Sequence, residues 1–172
     1  MRHKPFLVLA FACWSIAFGQ GERTLQPAPE LKEINFLAGT WKTEADVKPS
    51  PMGPGGKMSS IDRYEWQKGN FFLIGHVTFK STMGDGVELF VMGYDSAKKA
   101  FTYDAFNSSG ERIAGRGTKT GDTIVWTSTE DAPFKWRYLE KILSPTSMSI
   151  KFEASQDGSS WNTIMEGKST KQ

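Results

Sequence analysis

Turn-forming residues recur along the chain at an even interval, and this spacing constrains the fold more than any other feature. Most turns lie about 11 to 13 residues apart, which leaves room for one strand of about eight residues between them. After the first forty or so residues, no segment has the apolar periodicity of an amphipathic helix. The sequence therefore predicts about ten consecutive strands, separated by turns at Gly69-Asn70, Met83-Gly84-Asp85-Gly86, Asp95-Ser96-Ala97-Lys98, Ser108-Ser109-Gly110, Thr120-Gly121-Asp122, Asp131-Ala132-Pro133, Ser144-Pro145 and Gln156-Asp157-Gly158.

Side chains alternate in polarity along several of the predicted strands. Trp136 and Tyr138 share one face of a strand, whereas Lys135 and Arg137 share the other. Short links favour antiparallel neighbours in an up-and-down order. One apolar face can be buried by closing the sheet into a barrel or by stacking two sheets as a sandwich. We favour an all-β, antiparallel up-and-down β-barrel of about ten strands, because closure removes sheet edges and can leave an interior cavity.

The first residues have the pattern of a secretory signal peptide. Basic residues at 2–4 precede the apolar run Phe6–Phe18, and the small residues Ala17 and Gly19 are spaced for cleavage after residue 19. The apolar run is shorter than the roughly 20 residues that a membrane-spanning helix needs. We therefore predict a signal peptide over residues 1–19 and export to the periplasm or the medium, with no membrane span.

The one cysteine of the chain, Cys13, lies inside this leader, and its lipidation is left open as an alternative. Loss of the leader lowers the 21 basic residues to 19, equal to the 19 acidic residues, and leaves one histidine, His76. An intrachain disulfide, a zinc site built from Cys or several His, and a cysteine nucleophile are then excluded. The rest of the chain divides into a linker at 20–30 and a single domain at 31–172.

A short helical stretch precedes the first predicted strand. Leu31, Ile34 and Phe36 are spaced for one or two helical turns, and Leu37-Ala38-Gly39-Thr40-Trp41 follows directly. This segment resembles the Gly-x-Trp opening of lipocalin-like (calycin) barrels. The resemblance implies that Gly39 allows close packing and that the tryptophan plugs one end of the barrel.

A second motif strengthens the resemblance. Met92-Gly93-Tyr94-Asp95 is followed by Asn107-Ser108-Ser109-Gly110 in the next predicted hairpin. With the earlier Gly-x-Trp, this resembles the often exported bacterial family called domain of unknown function 1579, over residues 31–170. The resemblance implies a lipocalin-like barrel and carries no assigned activity.

Haem-binding barrels of similar type carry features that this chain lacks. Nitrobindins have a Gly-x-Trp-x-Gly-x-Gly run and a ligand histidine late in the chain. Here Lys42, Thr43 and Glu44 follow Trp41, and no histidine follows His76. We therefore expect no haem, no other cofactor and no metal.

Aromatic and methionine side chains are spread over nearly all the predicted strands, and this supplies the candidate binding site. Such side chains fill cores, but they also line small-molecule pockets. We predict that an apolar or amphipathic ligand contacts Tyr64, Trp66, Phe90, Met92, Tyr94, Tyr103, Trp126, Trp136, Tyr138, Met148 and Phe152.

The sequence leaves two other functions open. One is an isomerase or hydrolase of calycin-like fold that uses an inward His76, Glu88 or Glu140, although no catalytic residue is assigned. The other is a structural envelope protein with a filled core and no ligand. The near-zero net charge argues against a nucleic-acid partner, and we expect a monomer or weak dimer.

Three further features have a plain and a functional interpretation. One inward arginine among Arg63, Arg112, Arg116 and Arg137 would hold a ligand carboxylate. The Pro/Gly-rich segment at 49–58 is either a connector or a lid at the barrel mouth. Gly115 and Gly117 are interpreted as strand kinks or bulges.

Overall fold

The computed structural model describes residues 25–51 and 53–172. The predicted signal peptide, Cys13 and residues 20–24 of the predicted linker lie outside the described residues. The described chain begins with a 3-10 helix, Pro29–Leu37, so helical structure starts inside the predicted linker. Ten strands follow: β1 (Gly39–Val47), β2 (Gly56–Trp66), β3 (Leu73–Ser81), β4 (Gly84–Asp95), β5 (Ala100–Asn107), β6 (Arg112–Thr120), β7 (Thr123–Ser128), β8 (Lys135–Ser144), β9 (Ser147–Ser155) and β10 (Asn162–Lys171).

The ten strands form one closed antiparallel barrel. Each strand pairs with its neighbours in sequence, and β1 also pairs with β10. The predicted up-and-down barrel is therefore confirmed, and the sandwich alternative is excluded. The predicted turns all fall between strands or at their ends, because glycine, asparagine, aspartate and proline favour the tight reversals that antiparallel pairing requires.

The seam between β1 and β10 closes the sheet. Its register runs from Trp41 opposite Lys171 to Val47 opposite Met165. Buried side chains cross the same seam, since the hydroxyl oxygens of Thr43 and Ser169 lie 2.7 Å apart.

The Thr43 hydroxyl also donates to Asp62 Oδ2 on β2, at 2.9 Å. Because a threonine hydroxyl has a single proton, Ser169 is the donor to Thr43. The hydrogen bonds thus run in one direction from β10 through β1 to β2.

The 3-10 helix covers one end of the barrel. Leu31, Ile34 and Leu37 are at most 4% exposed and recur every third residue, which aligns them on one side of a helix with three residues per turn. Phe36, which the sequence analysis placed in this set, is only half-buried. Trp41 is fully buried, and its indole Nε1 donates to the Leu37 carbonyl oxygen at 2.7 Å, so the tryptophan plugs this end as expected.

Gly39 allows the chain to turn from the helix into β1. Its φ of +124° lies in a region that other residues rarely adopt. A Cβ atom at this position would also lie 2.7 Å from Cε of Lys171. The Gly-x-Trp motif therefore combines a backbone requirement with a packing requirement.

The two ends of the barrel differ. At the helix end, short turns at 67–72, 96–99, 121–122 and 145–146 join the strands. The opposite end carries the loops 48–55, 82–83, 108–111, 129–134 and 156–161 and no covering helix among the described residues. Part of the predicted 49–58 loop belongs to β2, which starts at Gly56. No helix within residues 25–51 and 53–172 is both long and apolar enough to cross a bilayer.

Several aromatic rings lie directly against glycines inside the barrel. A Cβ atom on Gly75 would lie 2.0 Å from the Phe90 ring, and one on Gly117 would lie 2.5 Å from the Trp126 ring. The kinks or bulges predicted at Gly115 and Gly117 are wrong, because both glycines pair in regular register. These glycines provide space for rings and do not distort the strand.

We expect Gly117→Ala to lower the free energy of unfolding by about 1–3 kcal/mol, the usual cost of overpacking a core, because the buried Trp126 ring cannot move away. Chemical denaturation measures the change. Gly93→Ala is the matched control, since its new methyl group would meet the Phe72 ring and Thr102 Oγ1 at 3.0 Å, and the Phe72 side chain is 43% exposed and has room to move. Equal losses in the two variants would contradict this account.

Candidate ligand-binding interior

Six of the predicted ligand-binding residues form one continuous line of aromatic rings inside the barrel, called here the aromatic wall. Neighbouring ring centroids lie 5.3 to 6.4 Å apart, within the usual range for aromatic pairs. The strands bring these side chains together because every second residue points inward. The aromatic wall consists of Tyr64, Phe90, Tyr103, Trp126, Trp136 and Phe152.

The barrel interior is not filled at the level of Tyr138. Tyr138 on β8, Phe152 on β9 and Met165 on β10 face inward in one paired row and are still only half-buried. An inward side chain keeps exposed surface only where protein atoms do not fill the space beside it. The barrel therefore contains a hollow bordered by this row.

Tyrosine hydroxyls support the same conclusion. The hydroxyls of Tyr64 and Tyr138 make no hydrogen bond among the described residues. The fully buried side-chain atoms without a partner are Asp62 Oδ1 and Ser147 Oγ, so the two tyrosine oxygens border open space. Both tyrosines thus present a free polar group to the hollow.

The hollow opens at the loop end of the barrel. Tyr138, Phe152 and Met165 each lie three residues from the strand end on that side. At about 3.3 Å per residue, the hollow reaches this row roughly 10 Å along the strands from the loop end. Val77 and Ile113, which also face inward, are half-buried as well and belong to its lining.

The opposite half of the barrel is packed with side chains. Met92 and Met148 are 2% and 1% exposed, so they have almost no surface to offer a ligand. Trp66 lies at the helix end, where its Nε1 donates to Asn35 Oδ1 at 2.8 Å. Tyr94 is also at this end, near the end of β4, with its ring against Phe101. The structure therefore places Met92, Met148, Trp66 and Tyr94 apart from the hollow. Phe90 and Trp126 of the aromatic wall, which are 4% and 2% exposed, offer a ligand almost no surface either.

Three carboxyl groups face the interior from three strands. Asp62 on β2 and Glu140 on β8 are 7% and 2% exposed, and Glu88 on β4 is half-buried. Trp126 Nε1 donates to Glu140 Oε2 at 2.8 Å, and the Tyr103 hydroxyl donates to Glu88 Oε1 at 3.1 Å. None of the ion pairs among the described residues includes any of the three. No group of three or more His, Cys, Asp or Glu in this part of the chain could hold a metal ion.

Burial determines how these groups ionise. Loss of solvation raises the pKa of Glu140 to about 7, against a smaller opposing effect of the Trp126 hydrogen bond. Burial also raises the pKa of Glu88, and the Tyr103 hydrogen bond opposes it. The pKa of Asp62 is raised by burial against the hydroxyls of Ser60 and Thr43. The interior thus contains carboxyl groups that hold their protons more tightly than exposed ones.

The tyrosines share this environment. Burial raises the pKa of Tyr64, Tyr103 and Tyr138 well above the usual value, and the negative charges of Asp62 and Glu140 contribute to all three shifts. The tyrosines therefore stay neutral and available as hydrogen-bond partners.

Other residues considered in the sequence analysis lie outside the barrel. His76 alternates with the inward Gly75 and Val77 and is exposed on the outer face of β3. An inward His76 is therefore wrong. The prediction of an inward arginine among four is wrong as well, since all four alternate with inward neighbours and point outward: Arg63, Arg112, Arg116 and Arg137.

Sequence reasoning missed Asp62 and its partners Thr43 and Ser169. Alternation along β2 could have indicated that Asp62 points inward, since it lies on the same face of the strand as Tyr64 and Met58. What the sequence lacks is the pairing of β1 with β10, which places Ser169 beside Thr43.

A second, shallow depression of about 600 Å³ lies where β1, β2 and β3 reach the loop end. It is lined by charged side chains such as Asp46, Lys57 and Lys80, together with Ala45 and Met58. Lys57 and Asp46 form an ion pair at 2.6 Å with both side chains largely exposed. This depression is wide open and lacks the aromatic lining of the interior.

Comparison with known proteins agrees with this architecture. The family model described as "Protein of unknown function (DUF1579)" matches residues 26–171. The chain belongs to this family. No curated protein matches it in sequence.

Two solved structures of other proteins are similar in fold to this DUF1579 protein. Rv2717c from M. tuberculosis is similar with a TM-score of 0.61 and 15% identity, over 86% of this chain and 99% of that chain. The S-type phycobiliprotein lyase CPES from Guillardia theta is similar with a TM-score of 0.54 and 10% identity, over 82% and 91% of the two chains. The DUF1579 chain therefore has a lipocalin-like barrel fold.

Glu140 makes the stability of the barrel depend on pH. An unfolded glutamate loses its proton near pH 4.5, but the buried one keeps it to about pH 7. The native state therefore loses stability as pH rises from 4.5 to 7, by at most about 3 kcal/mol. We expect the unfolding free energy of Glu140→Gln relative to wild type to rise by a comparable amount between pH 4 and pH 8.

Denaturant titrations at several pH values measure this difference. The amide oxygen of the substituted glutamine would still accept the hydrogen bond from Trp126, so the substitution removes the titration and keeps the contact. Glu130→Gln, in the exposed loop 129–134, is the control and should run parallel to wild type. A Glu140→Gln curve parallel to wild type would show that the carboxyl does not titrate in this range.

Proposed function

We propose that this protein binds a small amphipathic molecule in the hollow of its barrel. The observation that carries the proposal is the set of free tyrosine hydroxyls at 64 and 138, which border open space beside the aromatic wall. Small-molecule sites combine apolar walls with a few polar groups that fix orientation. A barrel that served only as a scaffold would gain stability by filling this space.

Apolar contact with the half-buried rings that line the hollow, those of Tyr103, Tyr138 and Phe152, would supply most of the affinity. Burial contributes about 0.8 kcal/mol per methylene group, so a chain of eight carbons would gain about 6 kcal/mol before the cost of association. The polar end of the ligand would meet Tyr64 and Tyr138.

Binding is measured with N-phenyl-1-naphthylamine, an uncharged probe that becomes fluorescent in apolar surroundings. We expect saturable binding by wild type. Val77→Phe adds a ring to the hollow and should weaken binding at least tenfold. Thr78→Phe is the matched control, because the next residue of β3 points outward and is exposed.

Two outcomes would overturn the proposal. One is a wild-type protein that shows no saturable signal with the probe or with a panel of isoprenoids and short-chain lipids. The other is a folded Val77→Phe variant that binds the probe as tightly as Thr78→Phe does.

Export is part of the proposal, and it is supported by the leader pattern of residues 1–19. Expression of the full chain in a bacterial host, followed by cell fractionation and intact-mass measurement, tests it. We expect a periplasmic or secreted protein that begins at Gln20. A cytoplasmic protein that keeps its first nineteen residues would contradict export, and a mass increase at Cys13 would favour lipidation.

A further inference from the structure

The interior of the barrel carries three carboxyl groups, none of which is in an ion pair among the described residues. Asp62, Glu88 and Glu140 face inward, and the four arginines discussed above face outward. Two lysines have inward parity, but both reach carbonyl oxygens at the helix end: Lys119 Nζ donates to Gly121 O at 2.7 Å, and Lys171 Nζ donates to Phe36 O at 2.9 Å. Lys119 shares an inward row with Glu140 and Lys171 shares one with Asp62, each with one strand between, but neither lysine forms an ion pair among the described residues.

An independent observation points to a missing partner in the same space. Tyr64 is 8% exposed, and its hydroxyl has no hydrogen bond among the described residues, although it borders the hollow. The Tyr64 hydroxyl can accept hydrogen bonds as well as donate one. Asp62 Oδ1 also has no partner, but it is fully buried and does not itself border the hollow. A group that brings an N–H donor into the hollow would find the Tyr64 oxygen free to accept it.

We propose that the ligand is an organic cation, an apolar molecule with a protonated amine, whose charge lies among Asp62, Glu88 and Glu140; this rests on the proposed function. The carboxyl groups would supply the opposite charge. The faces of the aromatic wall also attract cations, because aromatic rings carry negative charge on their faces. A ligand carboxylate would instead meet three acidic side chains and no guanidinium.

The ionisation of the site is linked to such a ligand. The titratable groups that act on or face Glu140 inside the barrel are Asp62, the tyrosines at 64, 103 and 138 and, across one strand, Lys119. A bound cation favours the ionised forms of the acidic groups and lowers the pKa of each carboxyl. The affinity for a permanent cation should therefore rise as pH increases from 6 to 8, while the affinity for an uncharged molecule stays constant.

The test compares eight-carbon molecules that differ only in the head group: octylamine, octyltrimethylammonium, octanol and octanoate. Each displaces the uncharged fluorescent probe at low ionic strength. We expect octylamine to bind at least tenfold more tightly than octanol, and octanoate to bind more weakly than octanol. Octyltrimethylammonium should show the rise in affinity between pH 6 and pH 8.

Substitutions of single carboxyl groups test which of them binds the charged end of the ligand. Glu88→Gln keeps an acceptor for the Tyr103 hydroxyl and should reduce the preference for octylamine over octanol at least threefold, and Glu140→Gln should do the same. Glu65→Gln, on the exposed outer face of β2, is the control. Probe binding by each variant shows that its hollow is intact, so loss of the fold is recognised separately.

The outcomes separate the two proposals. Equal binding of octanol and octylamine, with the probe still bound, would overturn the cationic ligand and leave the binding function standing. Tighter binding of octanoate would do the same. Failure of the probe and of all four molecules to bind would overturn both.

Discussion

The pairing of β1 with β10 is the contact on which the rest of the structure depends. Without it, the ten strands would form an open sheet whose inward face had no interior to line. The same seam supplies a site residue, because Thr43 links Ser169 on β10 to Asp62 on β2 through buried hydrogen bonds. One oxygen of Asp62 is held by this chain and the other has no partner. Asp62 therefore takes part both in the contacts that close the barrel and in the polarity of its interior.

The barrel is packed at one end and open at the other. Where a ring lies against the backbone of Gly75 or Gly117, it occupies space next to the strand. Both glycines lie within three residues of the helix end of their strands, so this close packing belongs to the filled half. At the same end, the plug of Trp41 and the side chains of Leu31, Ile34 and Leu37 leave almost no exposed surface. Toward the loop end, the inward side chains of Tyr138, Phe152 and Met165 stay half-buried.

Much of the fold could be predicted because its signals are local. Turn residues mark the strand ends, and alternation along a strand identifies inward residues such as Glu88 and Tyr138 without any knowledge of the partner strand. Depth along the barrel is different, since it depends on the stagger between strands and on which end the helix covers. For that reason alternation alone places Met148 and Tyr138 in the same predicted site. In the structure, Met148 is packed in the core and Tyr138 borders the hollow. The contact between Ser169 and Thr43 joins residues 126 positions apart, and no local pattern reveals it.

Buried acidic side chains are ion-paired on the outer face of the barrel and unpaired in its interior. Glu153, on the outer face of β9, is 7% exposed, and the guanidinium of Arg137 pairs with it while also lying 4.3 Å from the Trp161 ring centroid. Asp62 and Glu140 are buried to a similar degree and have no such partner. A buried carboxyl without a counter-ion costs several kcal/mol when it ionises, and uncharged residues of similar size would avoid that cost. Since the chain supplies an arginine where a buried glutamate serves packing, the unpaired carboxyls inside the barrel are better explained by a partner that comes from solution.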